Sequence, residues 1–262
     1  MRSERKEMKN TKNDIEDSIG STVLLGHAEP PAGLYSVQSE SVQGTVAPYY
    51  SDDWVTLYCG DALEILPKLP QVDAIITDPP FNVGKDFANE DLSPKEWKAF
   101  CNRLALAMWE NGAGNVLVEV GKNDQTMRQE LDRWLRYRYA MALNYTNSMR
   151  NGAVGYANFG LVLWYGEGKC HNRYKDRLDS ALNDSQKQFR HPSPKELQHY
   201  GKLVEMFTPD GGTVLDPFAG SGTTLRAAKD RNRKAIGIEM DEDHCKTIVT
   251  RLAQEVLPLF PA

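Results

Sequence analysis

The segment Asp78-Pro79-Pro80-Phe81 follows directly on a largely apolar run of residues 72–77, and its residue types suit chemistry on a planar amino group. The exocyclic amine of adenine or cytosine is a poor nucleophile, because its lone pair is delocalised into the ring. A carboxylate and a backbone carbonyl that accept its two hydrogens localise that lone pair and stabilise the positive charge that develops during attack on a methyl carbon. Asp78 can supply the carboxylate, and Phe81 offers a flat apolar face for stacking a base.

The proline pair supports this interpretation. Pro79 and Pro80 each fix φ and lack an N–H, so the backbone after Asp78 is stiff and its carbonyls can be aimed at a ligand. The alternative is a plain strand-to-loop turn, in which Asp and Pro are both common. A duplex base can enter such a pocket only by leaving the helix, so the hypothesis entails base flipping.

A second motif, residues 216–224, combines a strand end, a glycine-rich turn and a helix start. Gly220 and Gly222 let the backbone approach a ligand closely, and this arrangement is typical of a cradle for an adenosine-type cofactor. The dinucleotide fingerprint needs a third glycine three residues after Gly222, but Leu225 stands there. The pattern therefore does not indicate an NAD site.

Two further acidic residues follow predicted strands. Glu239 closes the strand after the glycine-rich turn, where an acidic side chain hydrogen-bonds ribose hydroxyls in related folds. Asp61 follows another strand, and two roles are open for it: facing the adenine amino group of the cofactor, which we favour, or capping the next helix.

Extended and helical periods alternate from Trp54 onward, which predicts an α/β fold with a largely parallel sheet and helices on both faces. Ser93 and Gly112 bound one predicted helix, Asp124 begins another, and Ser193 is predicted to cap a third. Seven strands are predicted: Val55–Cys59, Val72–Asp78, Asn115–Val120, Tyr139–Tyr145, Phe159–Tyr165, Thr213–Asp216 and Lys234–Met240.

Three motifs together resemble those of the β-class DNA amino-methyltransferases that depend on S-adenosylmethionine (SAM) and act on adenine N6 or cytosine N4. They are Asp78-Pro79-Pro80-Phe81, the glycine-rich segment 216–224, and His191-Pro192-Ser193-Pro194-Lys195 before a helix. That class is circularly permuted, with the catalytic motif ahead of the SAM motif, as in this chain. The resemblance implies a Rossmann-like SAM-dependent methyltransferase fold. It also implies that residues 78–81 hold the target base, and that SAM is surrounded by Asp61, Lys195, Asp216, Phe218, Gly220, Ser221, Gly222, Thr223 and Glu239.

The function that the resemblance implies is site-specific methylation of adenine N6 in double-stranded DNA by direct transfer. Asp rather than Ser at position 78 favours adenine over cytosine. Methylation of cytosine N4, an RNA substrate, and a catalytically silent subunit that binds SAM or DNA are the alternatives. Methylation of a cytosine ring carbon is disfavoured, because it uses a cysteine nucleophile, usually in a Pro-Cys dipeptide that this chain lacks.

Composition bounds the class of protein. The 262 residues carry a formal net charge of −5, so any nucleic-acid contact must be local rather than a general coating of phosphates. The four scattered cysteines suggest neither a metal site nor a disulfide framework, and we expect no metal. With no apolar run of about 18 residues and no secretory leader, we expect a soluble protein of the reducing cytoplasm that makes no membrane contact.

The domain organisation is predicted from composition. We interpret residues 1–50 as a poorly ordered extension, in preference to a DNA-contacting or dimerising arm, and residues 51–262 as the catalytic domain. By the resemblance, residues 166–191 form a small target-recognition segment, which contains six basic and four acidic residues. The stretches 147–155 and 84–91 are further candidates for closing over a flipped base. A homodimer and a cognate restriction nuclease are left open as partners.

Overall fold

The computed structural model describes residues 46–82, 91–121, 124–148, 150–152, 155–181 and 195–253. Nearly all of the predicted extension 1–50 lies outside the described residues. The same holds for residues 84–90 of one predicted closing stretch, for residues 182–191 of the predicted recognition segment, and for the predicted helix cap at Ser193.

The described residues form a mixed nine-stranded sheet and a separate two-stranded antiparallel ribbon. In spatial order the sheet is β1-β2-β11-β10-β3-β4-β8-β5-β9, and β6 pairs with β7 in the ribbon. The strand bounds, in chain order, are β1 Tyr50–Ser51, β2 Val55–Cys59, β3 Ala74–Thr77, β4 Asn115–Val120, β5 Tyr137–Tyr145, β6 Arg150–Gly152, β7 Gly155–Ala157, β8 Phe159–Gly166, β9 Arg177–Ser180, β10 Thr213–Asp216 and β11 Lys234–Glu239.

All seven predicted strands are present, but the predicted number of strands in the sheet was wrong. Two further strands, β1 and β9, extend it at its two edges within the described residues. Both escape a pattern search because β1 has two residues and β9 reads Arg-Leu-Asp-Ser, which is too short and polar to show a period. The central strands β2, β11, β10, β3 and β4 are parallel, as expected, whereas β8 runs antiparallel to both of its neighbours.

Helices cover both faces of the sheet. Alternate residues of a strand point to opposite faces, and Ile75 accordingly packs in one core while Ala74 and Ile76 pack in the other. The core that contains Ile75 includes residues of the three helices before residue 135. The core that contains Ala74 and Ile76 includes residues of the three helices after residue 196. The helix bounds are α1 Ala62–Ile65, α2 Pro94–Asn111, α3 Gln125–Trp134, α4 Leu197–Phe207, α5 Thr223–Lys229 and α6 Glu242–Ala253.

Two predicted helix starts are confirmed and one was wrong. Ser93 and Glu96 form the predicted capping box of α2, and the Asp124 side chain caps α3 by accepting from the Met127 N–H. The third helix, α4, does not begin after Ser193. Its N-cap is Glu196 in an extended conformation, so Lys195 lies in the segment before the helix. This extended approach lets the Lys195 side chain reach toward β3 and β4.

We expect Ser93→Ala to lower the free energy of unfolding by about 1 kcal/mol, because the exposed N-terminal N–H groups of α2 lose their side-chain acceptor. Urea denaturation measures the change. The control is Ser51→Ala on the edge strand β1, whose hydroxyl lies 3.3 Å from that of Thr56 on the surface and should contribute less than about 0.5 kcal/mol. Equal losses in the two variants would contradict the capping role.

Candidate active site

The two chemistry-bearing motifs meet because β3 and β10 are parallel neighbours. Val214 and Leu215 pair with Ala74 and Ile75, so both strands end at the same edge of the sheet. At that edge the Thr77 hydroxyl donates to the Asp216 carboxylate over 2.8 Å. Segments that are separated by 139 residues in the chain thus lie side by side, where open α/β sheets bind their ligands.

The two carboxylate oxygens of Asp78 differ in their polar contacts. Oδ2 lies 2.9 Å from the Lys195 ammonium, whereas Oδ1 is buried and has no hydrogen-bond partner among the described residues. Pro79 is buried and Phe81 is half-buried, with the Phe81 ring centroid 5.7 Å from the Lys195 nitrogen. A buried acceptor without a donor costs free energy, so Oδ1 is an unused acceptor at this strand end within the described part of the chain.

Lys195 is the centre of a buried charge cluster. Its ammonium also lies 2.9 Å from Oε1 of Glu119, and the Tyr200 hydroxyl donates to Oε2 of Glu119 over 3.0 Å. The Lys195 side chain therefore contacts Asp78, while its backbone carbonyl accepts from the Thr223 hydroxyl of the glycine-rich segment. Contact of Lys195 with a cofactor stays a prediction.

Glu119 was missed at the sequence level. It lies in β4 and is only 5% exposed, and all other residues of this strand after Asn115 are valine or leucine. A lone acidic residue inside an apolar run was the available signal, since a buried carboxylate requires a partner. The partner, Lys195, is 76 residues away in the chain and could not be assigned without the fold.

Burial controls the electrostatics of this cluster. Desolvation raises the pKa of Asp78 to about 7, and the nearby charge of Glu119 adds to the rise while Lys195 opposes it. Although burial acts to lower it, the pKa of Lys195 is raised above its ordinary value by the carboxylates of Asp78 and Glu119. At neutral pH the ammonium is therefore charged, and Asp78 is close to its titration midpoint.

The glycine-rich turn is held from inside by Asp216. Its Oδ1 accepts from the Phe218 N–H and from Thr77, and its Oδ2 accepts from the Thr224 hydroxyl over 2.5 Å. Burial raises the pKa of Asp216 to about 6. Gly220 and Gly222 have φ values of 54° and 78°, in the left-handed region that favours glycine, as their proposed role in the turn requires.

The two other predicted acidic residues lie at the ends of neighbouring strands. Glu239 accepts from the Gly220 N–H over 2.7 Å and from the Asp241 N–H over 2.9 Å, so its carboxylate braces the glycine-rich turn. Asp61 caps α1 by accepting from the Leu63 N–H over 2.8 Å, which is the second of the two roles left open for it. Contacts of Asp61 and Glu239 with a cofactor stay predictions.

These residues together could hold an adenosine-containing cofactor such as SAM. Gly220 is half-buried and carries no side chain, so its backbone can be approached closely, and Ser221 and Thr223 flank the second glycine, Gly222. Phe218 is half-buried beside the turn and packs with its ring centroid 6.1 Å from that of Phe100. The buried Asp78 oxygen, which has no partner in the described part of the chain, lies at the end of the adjacent strand. An adenosine-containing cofactor and an amino group would therefore approach one another in the same crevice.

The predicted recognition segment is only partly described. Its residues 177–180 form β9, which pairs in parallel with β5 at the sheet edge. Arg177 is paired with Asp179 at 3.0 Å, and the Asp176 carboxylate accepts from the Tyr139 hydroxyl over 3.0 Å.

In the described part of the chain, no group of three or more His, Cys, Asp or Glu residues is arranged to hold a metal. No helix in that part is long and apolar enough to cross a membrane.

Comparison with known proteins gives a consistent result. The family model described as DNA methylase, which covers N6 and N4 enzymes, matches residues 72–250. The type II methyltransferase M.ScaI of Streptomyces caespitosus is 27% identical over an alignment of 266 positions, gaps included, that spans 81% of this chain and 86% of that protein.

Solved structures resemble the same fold. The PvuII DNA methyltransferase, described as cytosine-N4-specific, matches with a TM-score of 0.67 at 16% identity, over 80% of this chain and 90% of that one. The complex of M1.HpyAVI with SAM matches with a TM-score of 0.59 at 25% identity, over 76% of this chain and 99% of that one.

We expect the Asp78 carboxyl to titrate near pH 7, well above the ordinary value of about 4. Lys195→Met should move its pKa higher still, because the opposing cation is lost. NMR titration of carbon-13-labelled aspartate measures this, with the Asp78 signal identified by its absence in Asp78→Asn. Lys202→Met is the control, since its ammonium lies 3.3 Å from the Asp179 carbonyl rather than beside Asp78.

The same shift predicts a pH dependence of stability. A carboxyl whose pKa is raised on folding destabilises the protein as pH rises from about 4 to about 7. Asp78→Asn should therefore be more stable than the wild type above pH 7, with the difference shrinking as pH falls toward 4. An Asp78 signal that titrates near pH 4, together with equal stability of the two proteins at pH 8, would contradict the assigned environment.

Proposed function

The chain belongs to the family of N6 and N4 DNA methylases, and we propose that it methylates the N6 amino group of adenine in double-stranded DNA. The coarser activity, SAM-dependent DNA methylation, follows from the family and from its relatives. The observation that carries the proposal of amino-group methylation is the buried oxygen of Asp78, which has no donor among the described residues and is located beside the glycine-rich turn.

In the proposed mechanism this oxygen accepts a hydrogen of the target amino group. A carbonyl of the proline pair accepts the other hydrogen, which aligns the nitrogen lone pair with the methyl carbon. Bound SAM would supply the methyl group as an electrophile and leave as the thioether S-adenosylhomocysteine, and the amino nitrogen would then release one proton to Asp78 or to solvent. The ionised form of Asp78 stabilises the positive charge that develops on the nitrogen, and the nearby Lys195 cation favours that ionised form at neutral pH.

Access to the crevice requires the base to leave the duplex. The Asp78 oxygen is buried at a strand end, where a stacked and paired base cannot reach it. The ring of Phe81, half-buried next to Asp78, supplies a stacking face for the extruded base and replaces part of the stacking energy lost from the duplex. The chain needs no covalent intermediate for this chemistry.

The choice of adenine rests on Asp78 itself. In the class that this chain resembles, Asp at this position favours adenine, and Ser favours cytosine. The likeness to the cytosine-N4-specific PvuII enzyme, at 16% identity, supports the shared fold and does not discriminate between the bases. Methylation of cytosine N4 is the second candidate, because the same pair of acceptors fits either exocyclic amine.

The proposed partners follow from the same assignment. We assign DNA contact to residues 166–191, whose local excess of basic residues can follow phosphates despite the negative net charge. A cognate restriction nuclease is suggested by the name of the relative M.ScaI, a type II methyltransferase. We propose a cytoplasmic location, because DNA and SAM are available there. We also propose that the protein forms a homodimer, which light scattering can test.

We expect the protein, incubated with labelled SAM and unmethylated duplex DNA, to produce N6-methyladenine. Single-molecule sequencing of DNA from a host that expresses the protein identifies the base and its sequence context, and nucleoside mass spectrometry of the purified reaction confirms the product. N4-methylcytosine in place of N6-methyladenine would establish the second candidate. Tight SAM binding with no methylation of any DNA or RNA would indicate a silent subunit.

We expect Asp78→Ala to reduce methyl transfer by at least about a thousandfold while SAM binding changes less than about threefold, because the residue acts on the base rather than on the cofactor. Single-turnover kinetics and calorimetric titration measure the two effects. The control is Asp243→Ala, an exposed substitution on α6 that should leave both unchanged. Loss of SAM binding in parallel with transfer would contradict the role of Asp78.

A further inference from the structure

Arg251, on the last described helix, is buried and bonded to the glycine-rich turn. It is only 3% exposed, and its Nη1 donates to the Ser221 carbonyl over 3.0 Å, to the Ser221 hydroxyl over 3.2 Å and to the Thr223 hydroxyl over 3.0 Å. Burying a guanidinium is costly unless its donors are satisfied. All three bonds end on the glycine-rich turn, so the buried guanidinium holds that turn in place.

The turn needs such a support. Gly220 and Gly222 have positive φ values on either side of Ser221, and glycines lose more conformational entropy than other residues when they are fixed. Ser221 and Thr223 are themselves buried, so their oxygens cannot turn to water for donors. One guanidinium nitrogen satisfies the oxygens on both sides of Gly222 and fixes their relative positions.

Helix α6, which carries Arg251, is held to α5 and to the glycine-rich turn by contacts of its own. The Arg226 side chain of α5 donates to the Arg251 carbonyl over 2.9 Å, which ties the two helices together. Ile248, three residues before Arg251, packs so closely against Gly222 that an added Cβ there would lie 3.1 Å from its side chain. Movement of Arg251 would therefore be transmitted directly to the turn.

We propose that Arg251 is a positioning residue for the cofactor site, whose guanidinium holds Ser221 and Thr223 in the conformation that binds SAM. The inference rests on the proposed placement of SAM at the glycine-rich turn. Lysine is only a partial replacement, because its ammonium retains donors but sits on a flexible stem, whereas the rigid, planar guanidinium fixes the position of Nη1 relative to the three oxygens. A methionine of similar length leaves three oxygens without their donor.

The test compares SAM affinity with turnover. We expect Arg251→Met to weaken SAM binding at least tenfold, about 1.4 kcal/mol, in calorimetric titration, while kcat at saturating SAM changes less than about threefold. Arg251→Lys should fall between the wild type and Arg251→Met. A kcat loss without a change in SAM affinity would overturn the proposal.

Arg233→Met is the matched control for a lost buried arginine. Arg233 is 7% exposed, donates to the carbonyls of Arg231 and Thr208, and precedes β11 at the opposite end of the strands from the crevice. It should lower thermal stability by an amount comparable to Arg251→Met and leave SAM affinity unchanged. Equal losses of SAM affinity in the two variants would show a general effect of destabilisation and would contradict the proposal.

A double-mutant cycle covers the case in which Arg251→Met does not fold. Arg251→Lys and Thr223→Val, the latter an isosteric loss of one acceptor, should be non-additive in their effects on SAM affinity, and additivity would overturn the proposal. Glu239→Ala distinguishes failure of the positioning role of Arg251 from failure of the proposed placement of SAM at the turn. If Glu239→Ala leaves SAM affinity unchanged, the placement at the turn fails; if it weakens SAM binding while the Arg251 variants do not, only the positioning role fails.

Discussion

The parallel pairing of β3 with β10 is the constraint on which the candidate site depends. It brings two strand ends together that the chain separates widely, and the bond from Thr77 to Asp216 joins them at the point of emergence. Both segments that follow, the proline pair and the glycine-rich turn, then start from adjacent and rigid positions. The order of the motifs along the chain has no effect on this geometry, because the sheet determines only which strands are neighbours.

A buried charge cluster makes this edge chemically specific. Asp78 and Glu119 share the Lys195 ammonium, and Tyr200 bonds to Glu119 from α4. Pairing offsets only part of the cost of desolvation, as the raised pKa of Asp78 shows. The remaining cost is concentrated in an oxygen that has no donor within the described structure. Stability is lower for that reason, and the same unfavourable environment gives the site its demand for a hydrogen-bond donor.

Local patterns in the sequence predict the framework well and its cross-chain contacts poorly. The strands Val55–Cys59, Asn115–Val120 and Thr213–Asp216 match their predicted bounds because buried parallel strands read as apolar runs between turn residues. The capping box at Ser93 is equally local. Strand β9 was missed because its pairing with β5, rather than its composition, makes it a strand.

The same division holds within the site. The two motifs could be read from residue types and spacing, and the structure places them together. The contact of Lys195 with Asp78 and Glu119, the use of Glu239 on the Gly220 N–H, and the support from Arg251 all join segments whose proximity only the folded chain defines. The start of α4 was predicted too early, because the local cap pattern at Ser193 carries no information on Lys195, which lies before the helix and pairs with Asp78 and Glu119.

The central claim is that the Asp78 oxygen without a donor among the described residues accepts a hydrogen bond from the amino group of an extruded base. A crystal structure of the protein with a non-reactive SAM analogue and a duplex containing its target site tests this most directly. We expect one Asp78 oxygen within about 3 Å of the exocyclic nitrogen, with the base against Phe81 and the analogue at the glycine-rich turn. An Asp78 that keeps its bond to Lys195 while both of its oxygens remain turned away from the base would contradict the account.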